Sequence, residues 1–356
     1  MWAYRMVEWE HRPEAVDVAV PVPGTGEVLV RVAANGLCHS DITMTKMPAR
    51  VGEAIGWAMP FTLGHEVAGH IAALGADASG VSVGDGVAIV SPSSCGTCRF
   101  CVTARDSLCS HGLVGRGYGR DGGLAEYVVV PVREVIPLGG FDPLAAGPLT
   151  DAGATSHHAV TRVLPRLVDG STAVVIGVGG LGSFAVQLLR ALSPARVIAV
   201  DSNERRRRIA SELGAHEVFD GVDRGTESAI RRLTGGDGAE VVLDVVGTDD
   251  TIRAGLSSLQ PGGAFGLVGA GGGSFGRPWF GGLPREAEVF TFQGSSIANA
   301  HAVVALARDG RIRSDVDVFG ADRVTDAYAA MEAGSLRGRA VVTPPGAGTT
   351  ATRSVA

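Results

Sequence analysis

Four of the chain's five cysteines fall within fifteen residues, as Cys95-Gly-Thr-Cys98-Arg-Phe-Cys101 and, after seven more residues, Cys109. Two-residue gaps let a tight turn aim successive sulfurs at one point, and the longer gap lets the chain return. Four thiolates at about 2.3 Å from one ion close a tetrahedron. The segment at about residues 91–112 therefore reads as a structural zinc lobe with no open position for chemistry. Disulfide pairing or unrelated buried thiols are the competing readings. A zinc ribbon on a nucleic-acid binder is a third, but the flanks Ser91-Pro92-Ser93-Ser94 and Val102-Thr103-Ala104 are not basic.

A chain of 356 residues is too long for one simple core and predicts two domains. Its 45% hydrophobic and 19% charged residues are enough to fill both. The net charge of -6 argues against a nucleic-acid or anionic-membrane partner. The first ten residues carry charges where a secretory segment would be apolar, and no run approaches the ~20 apolar residues of a membrane span. Thiols grouped for metal rather than paired along the chain suggest a reducing cytoplasm.

The amino-terminal part reads as short strands with frequent turns, at Glu27–Ala33, Gly84–Val90 and Leu124–Val130. From Asp151 the texture changes. Ser171–Ile176 is a buried-strand run, Gly177–Gly182 follows, and Phe184, Val186, Leu188, Leu189 and Leu192 mark an apolar helix. Further strands are expected at Arg196–Asp201, Glu240–Val245, Ala264–Val268 and Glu288–Phe292. Alternating β and α of this kind predicts a doubly wound parallel sheet, hence an α/β fold class. Near Ser296 the chain turns helical through Ala302–Arg308, closes with Ala340–Thr343, and ends in a tail, from Pro344 to Thr350, expected to fray. The expected architecture is an irregular β-domain of residues 1–152 and 296–356 with a doubly wound domain, 153–295, inserted into it.

Gly177, Gly179 and Gly182 form a G-x-G-x-x-G directly after a predicted strand and before a predicted helix, with Gly180 and Leu181 inside the turn. The first glycine permits the turn, the second lets backbone approach a pyrophosphate, and the third packs helix on strand. The helix then offers free N–H groups and its positive end to the phosphates. Asp201 closes the next strand, where a carboxylate can accept from both ribose hydroxyls. Its charge favours NAD over NADP, although Arg205–Arg208 could pair a 2′-phosphate. That run reads more simply as the solvated start of a helix, with Arg206 toward the adenosine.

The remaining chemistry is scattered over Cys38-His39-Ser40-Asp41, Gly64-His65-Glu66 and Asp151 in Leu149-Thr-Asp-Ala-Gly-Ala-Thr155. Singly, each has a plain explanation. A lone cysteine is usually a small buried hydrophobe, His65 could be a satisfied core histidine, and Asp151 could cap a helix. Taken in order with the four-cysteine lobe and the glycine turn, however, these segments resemble the zinc-dependent alcohol dehydrogenases of the medium-chain dehydrogenase/reductase family. The likeness runs from about Val28 to Gly338-Arg-Ala-Val-Val342.

The resemblance implies a GroES-like catalytic domain and a Rossmann domain. It implies that Cys38, His65 and Asp151 hold a catalytic zinc, with a fourth position for water or alcohol. Asp151 stands where many members have cysteine, Glu66 is an alternate ligand, and Asp41 orients His65. Zinc lowers the pKa of an alcohol, Ser40 accepts the hydroxyl proton, and hydride passes to the nicotinamide. The relay histidine of some members is absent, since Thr43 occupies about that position, and His39 is a weak substitute. Further implied cofactor contacts are Thr155, Val268-Gly269-Ala270, Arg339 on the pyrophosphate, and His39. His70, His157 and His158 are read as structural.

Ser40, Thr43, Trp57, Ser91 and Gln293–Ser296 are candidate pocket positions. Several are small where related enzymes place aromatics, which points to secondary or bulky alcohols and ketones. The family likeness also implies a homodimer or homotetramer joined along Glu288–Gly294, with two zinc ions and NAD per chain. Three alternatives remain: a same-fold reductase of an activated C=C bond without catalytic zinc, a non-catalytic NAD-responsive protein, and the zinc-ribbon nucleic-acid binder.

Overall fold

The computed structural model describes residues 1–91, 94–276 and 278–346; residues 347–350 of the tail expected to fray, and Pro92 and Ser93 of the lobe's flank, lie outside them. The chain divides into two compact units, Met1–Ala154 with Gly294–Ala356, and Thr155–Gln293.

The first unit starts with β1 (Trp2–Met6), β2 (Glu14–Asp17), β3 (Glu27–Gly36), β4 (Phe61–Thr62) and β5 (Glu66–Leu74). It continues with β6 (Gly86–Ile89), β7 (Gly115–Arg116), β8 (Gly119–Arg120), β9 (Tyr127–Pro131) and β10 (Val135–Pro137). The second unit holds β11 (Thr172–Ile176), β12 (Arg196–Val200), β13 (Glu217–Phe219), β14 (Ala239–Asp244), β15 (Leu259–Leu267) and β16 (Glu288–Thr291). The chain then returns to the first through β17 (Val316–Gly320) and β18 (Arg339–Thr343).

In the first unit β10-β6-β5-β3-β18-β17 form the main sheet, with β9 also paired to β3. Val28, Val30 and Val32 of β3 alternate inward against Val67, Ile71, Val87 and Ile89, the period-two pattern of a half-buried strand. A second core gathers Met6, Leu37, Met44, Phe61 and Leu63 with Val324 and Met331 of the returning segment. Register decides what this sheet presents. Gly36 pairs with Glu66 on one side and Val341 on the other. Cys38, His65 and Arg339 lie one or two residues beyond those pairs, so all three emerge at the same end of the sheet.

In the second unit the order is β13-β12-β11-β14-β15-β16, every pairing parallel. Every residue of β11 is buried, as expected for a strand covered on both faces. The helix Gly180–Leu192 buries Phe184, Val186, Leu188 and Leu189. Strand order reverses between β11 and β14, the switch point at which such sheets bind ligands beyond their carboxyl ends. Among the described residues no helix is long and apolar enough to cross a membrane.

Candidate active site

The cysteine lobe is a set of short turns, and its geometry comes from its backbone. Cys98 Sγ lies 3.5 Å and Cys95 Sγ 3.9 Å from Cys101 Sγ. A tetrahedron with bonds of about 2.3 Å has edges of about 3.8 Å, whereas a disulfide needs about 2.05 Å. Backbone N–H groups of Cys98 and His111 point at Cys95 and Cys109 sulfurs at 3.3 and 3.4 Å. The Thr97 hydroxyl and neighbouring N–H groups pull the Cys95 thiol down to about 5, and the N–H groups of Cys101 and Ser110 pull Cys98 to about 7. Burial pushes Cys101 up to about 11. The surroundings thus favour the thiolate at Cys95 and Cys98, and the four-sulfur set fits a closed zinc site.

At the second cluster the ligand atoms of Cys38, His65, Glu66 and Asp151 all lie within 4.8 Å of one another. Cys38 is the N-cap of the helix His39–Thr45, and its N–H donates to Asp41 Oδ2 at 2.9 Å. His65 follows β4 and is buried. Asp151 comes from a π-helical turn, Leu149–Gly153, the kind of widened turn that often marks function.

The electrostatics suit a cation. His65 Nδ1 faces Asp41 Oδ1 at 3.4 Å and Nε2 faces Asp151 Oδ2 at 3.6 Å. Among the described residues neither Nδ1 nor Asp41 Oδ1 has another hydrogen-bond partner, and both are buried. A proton on Nδ1 directed at Asp41 would leave the Nε2 lone pair free for a metal. Burial lowers the pKa of His65, but Tyr118 and the two carboxylates more than offset it and raise it well above the usual value. Burial also opposes ionisation of Asp151, yet His65 and Arg339 hold it below the usual carboxylate range. A thiol, an imidazole and a carboxylate around one point, with an orphaned imidazole–carboxylate contact behind them, fit a zinc ion.

Glu66 is fully buried and doubly hydrogen-bonded by Arg339, from Nε to Oε2 at 3.1 Å and from Nη2 to Oε1. Burial pushes Glu66 up to about 7 against the pull of Arg339. Arg339, expected on a pyrophosphate, thus spends its guanidinium on Glu66 and stands 3.6 Å from Asp151. Ser40 Oγ meets the hydroxyl of Tyr118 at 3.0 Å, and that hydroxyl is 3.1 Å from His65 Nε2. Trp57 is buried, its indole N–H donating to Leu113 O at 2.7 Å, while Thr43 and His39 lie on the exposed face of their helix.

Tyr118 and Tyr328 escaped the sequence reading. The Tyr328 hydroxyl donates to Asp41 Oδ2 at 3.2 Å. The one available signal for Tyr118 was a large aromatic set between glycines in Gly115-Arg-Gly-Tyr-Gly119.

In the second unit the glycine turn sits at the carboxyl end of β11. Gly177 has φ +90°, a left-handed conformation that favours glycine. A Cβ on Gly182 would stand 1.8 Å from Gly177 O, so helix and strand approach only because it is absent. Asp201 Oδ2 accepts from Val178 N at 2.7 Å and Oδ1 from Asn203 N at 2.8 Å, tying the acidic residue to the turn. Arg206 Nη1 lies 3.9 Å from Asp201 Oδ2. Val268 and Gly269 donate to Asp244 O at 2.8 and 3.0 Å, which sets Val268-Gly269-Ala270 at the same carboxyl edge. Thr155 is buried near the start of the helix Ala154–Val163, and its neighbour Ser156 donates to Leu181 O at 2.8 Å.

Two family profiles match the chain: "Alcohol dehydrogenase GroES-like domain" over residues 24–140 and "Zinc-binding dehydrogenase" over residues 180–306. The NAD-dependent alcohol dehydrogenase of Sulfurisphaera tokodaii is 33% identical, over 97% of this chain and 100% of its own length. The D-arabinose 1-dehydrogenase (NADP(+)) of Saccharolobus solfataricus is 32% identical, over 92% of this chain and 93% of its own. The solved alcohol dehydrogenase of the hyperthermophilic archaeon Aeropyrum pernix matches with a TM-score of 0.89 at 32% identity, covering 97% of this chain and 100% of that one.

Proposed function

The chain belongs to the medium-chain dehydrogenase/reductase family as a zinc-binding, alcohol dehydrogenase-like, NAD-dependent oxidoreductase, and we propose that it interconverts a secondary or bulky alcohol and its ketone or aldehyde. The reading is carried by the convergence of Cys38, His65, Glu66 and Asp151 within 4.8 Å. Cys38, His65 and Asp151 would hold a zinc ion, with Glu66 as alternate ligand once it lets go of Arg339. Bound there, zinc would draw charge from a substrate oxygen and so ease loss of an alcohol's hydroxyl proton.

The chain's own residues supply the rest. Asp41 orients His65 and fixes Cys38 through the N-cap. Ser40 lies on the route by which the substrate's proton leaves. The turn Gly177–Gly182 and the start of its helix bind the pyrophosphate of NAD, and Asp201 takes the ribose hydroxyls while repelling a 2′-phosphate. The four-cysteine lobe holds a second zinc with a structural role. Relatives carry the names of an alcohol dehydrogenase and of a D-arabinose 1-dehydrogenase, which supports dehydrogenation at a C–O centre over reduction of a C=C bond.

We place the protein in the cytoplasm on its five free thiols. Assembly would run along β16, the outer strand of its sheet, whose free edge is an aggregation hazard unless covered. Two measurements test the function together. Metal analysis should give two zinc ions per chain, and NADH formation should be faster with secondary and cyclic alcohols than with ethanol. A single zinc with no turnover of any alcohol would reject the reading; ethanol as fastest substrate would reject its substrate class.

A further inference from the structure

Tyr118 lies between β7 and β8, and its ring is 4.6 Å from the His65 imidazole and 6.1 Å from the Trp57 ring. Its hydroxyl is shared between His65 Nε2 at 3.1 Å and Ser40 Oγ at 3.0 Å. An imidazole that gives Nε2 to a metal has no lone pair left on that nitrogen for a tyrosine hydroxyl. Loading the site therefore takes away one of the two partners and leaves a largely enclosed hydroxyl with an open bond, a costly state. What arrives at the same place, on the function proposed above, is the reacting oxygen of the substrate.

We propose that Tyr118 is a catalytic residue: its hydroxyl hydrogen-bonds the reacting oxygen of the substrate and links it to Ser40. The inference rests on the reading that Cys38, His65 and Asp151 gather a metal that receives that oxygen. In the oxidising direction the alcohol's O–H bond breaks as a new O–H bond forms at Tyr118 Oη. The phenolic proton passes to Ser40 Oγ, and the Ser40 proton leaves to water. Tyr118 ends the step neutral, and the carbinol hydride leaves for NAD. The route needs no histidine at Thr43. Ser40 need not touch the substrate, because its bonded neighbour does.

Tyr118→Phe keeps the ring against His65 and Trp57 and removes one oxygen. Isobutyramide, whose carbonyl oxygen stands in for the substrate's, is titrated into the zinc-loaded protein with NADH and followed by NADH fluorescence. Tyr118→Phe should weaken amide binding at least about tenfold, a loss in line with a strong hydrogen bond. The NADH dissociation constant and zinc content should stay within about twofold of wild type, since no contact to either is removed. The kcat/KM for the best alcohol should fall by at least the same factor. Ser40→Ala, which leaves Tyr118 in place, should lower kcat with little effect on amide binding and add little to Tyr118→Phe.

Unchanged amide affinity in Tyr118→Phe, with zinc removal still abolishing amide binding, would overturn the role of Tyr118 and leave the function standing. Loss of zinc from Tyr118→Phe would make the residue a support of the metal site, and so would also overturn the proposal. Amide binding that survives zinc removal in the wild type would defeat the function and this inference together.

Discussion

Asp41 shows how much one buried carboxylate can be asked to hold. Its Oδ2 accepts from the Cys38 N–H at 2.9 Å and the Tyr328 hydroxyl at 3.2 Å, and its Oδ1 faces His65 Nδ1 at 3.4 Å. Two members of the Cys38, His65, Glu66 and Asp151 cluster are therefore held by a residue outside it. Removing such an outer partner of a metal-bound histidine typically costs about 10–100-fold in metal affinity. Asp41→Ala should accordingly lose the Cys38–His65–Asp151 zinc that much more readily in chelator competition, while the four-thiolate zinc stays in place. Equal retention of both metals would sink the argument. At this scale the sequence was informative about residue types and silent about partners. Nothing in Gly64-His-Glu66 says that Glu66 would be closed off by Arg339, because that pair meets across a sheet whose register is set elsewhere.

Elements were legible where a local pattern was strong. The buried run at β11 was read within one residue of its observed bounds, and the apolar helix marked by Phe184 to Leu192 ends where it was read but begins earlier, at Gly180 inside the glycine turn. β5 was not, because Gly69 and His70 interrupt its apolar alternation, and β13, at three residues, is too short to announce itself. One element contact has a testable consequence. Asp106, buried in the cysteine lobe, accepts from the Ser94 hydroxyl at 3.0 Å and from Ile297 N at 3.1 Å. It thereby supplies an acceptor to the first turn of the helix Ile297–Arg308, which packs on the turn carrying Asp151. Asp106→Ala leaves that N–H unpaired and should cost about 1–3 kcal/mol in urea unfolding. A change below about 0.5 kcal/mol, the range of an ordinary surface substitution, would show that the contact is not needed.

For the molecule as a whole, two metals and a cofactor would each tie stability to solution conditions. A chelator strong enough to strip the four-thiolate lobe should lower the melting temperature, with recovery on adding zinc back. The pH dependence follows from the thiols. In the metal-free protein Cys95 is held at about 5 against 9 for an unperturbed thiol, with the thiolate favoured in the fold. The stability linked to that thiolate is full above about 9 and is lost as pH falls through about 5. Zinc retention should weaken over the same window, since protons compete for the sulfurs. Melting curves that do not change between neutral and mildly acidic pH, with zinc absent, would contradict this.

By itself the sequence determined what is local: the sulfur spacing that lets one short loop surround an ion, and the glycines whose missing side chains permit a turn that few other residues could make. These depend on neighbours along the chain, so a linear reading reaches them. Tertiary structure alone decided the meeting of Cys38, His65, Glu66 and Asp151, and the insertion of the Tyr118 hydroxyl beside them. Those contacts depend on strand register and on a widened helical turn, and both are outcomes of packing over the whole unit rather than of any segment within it.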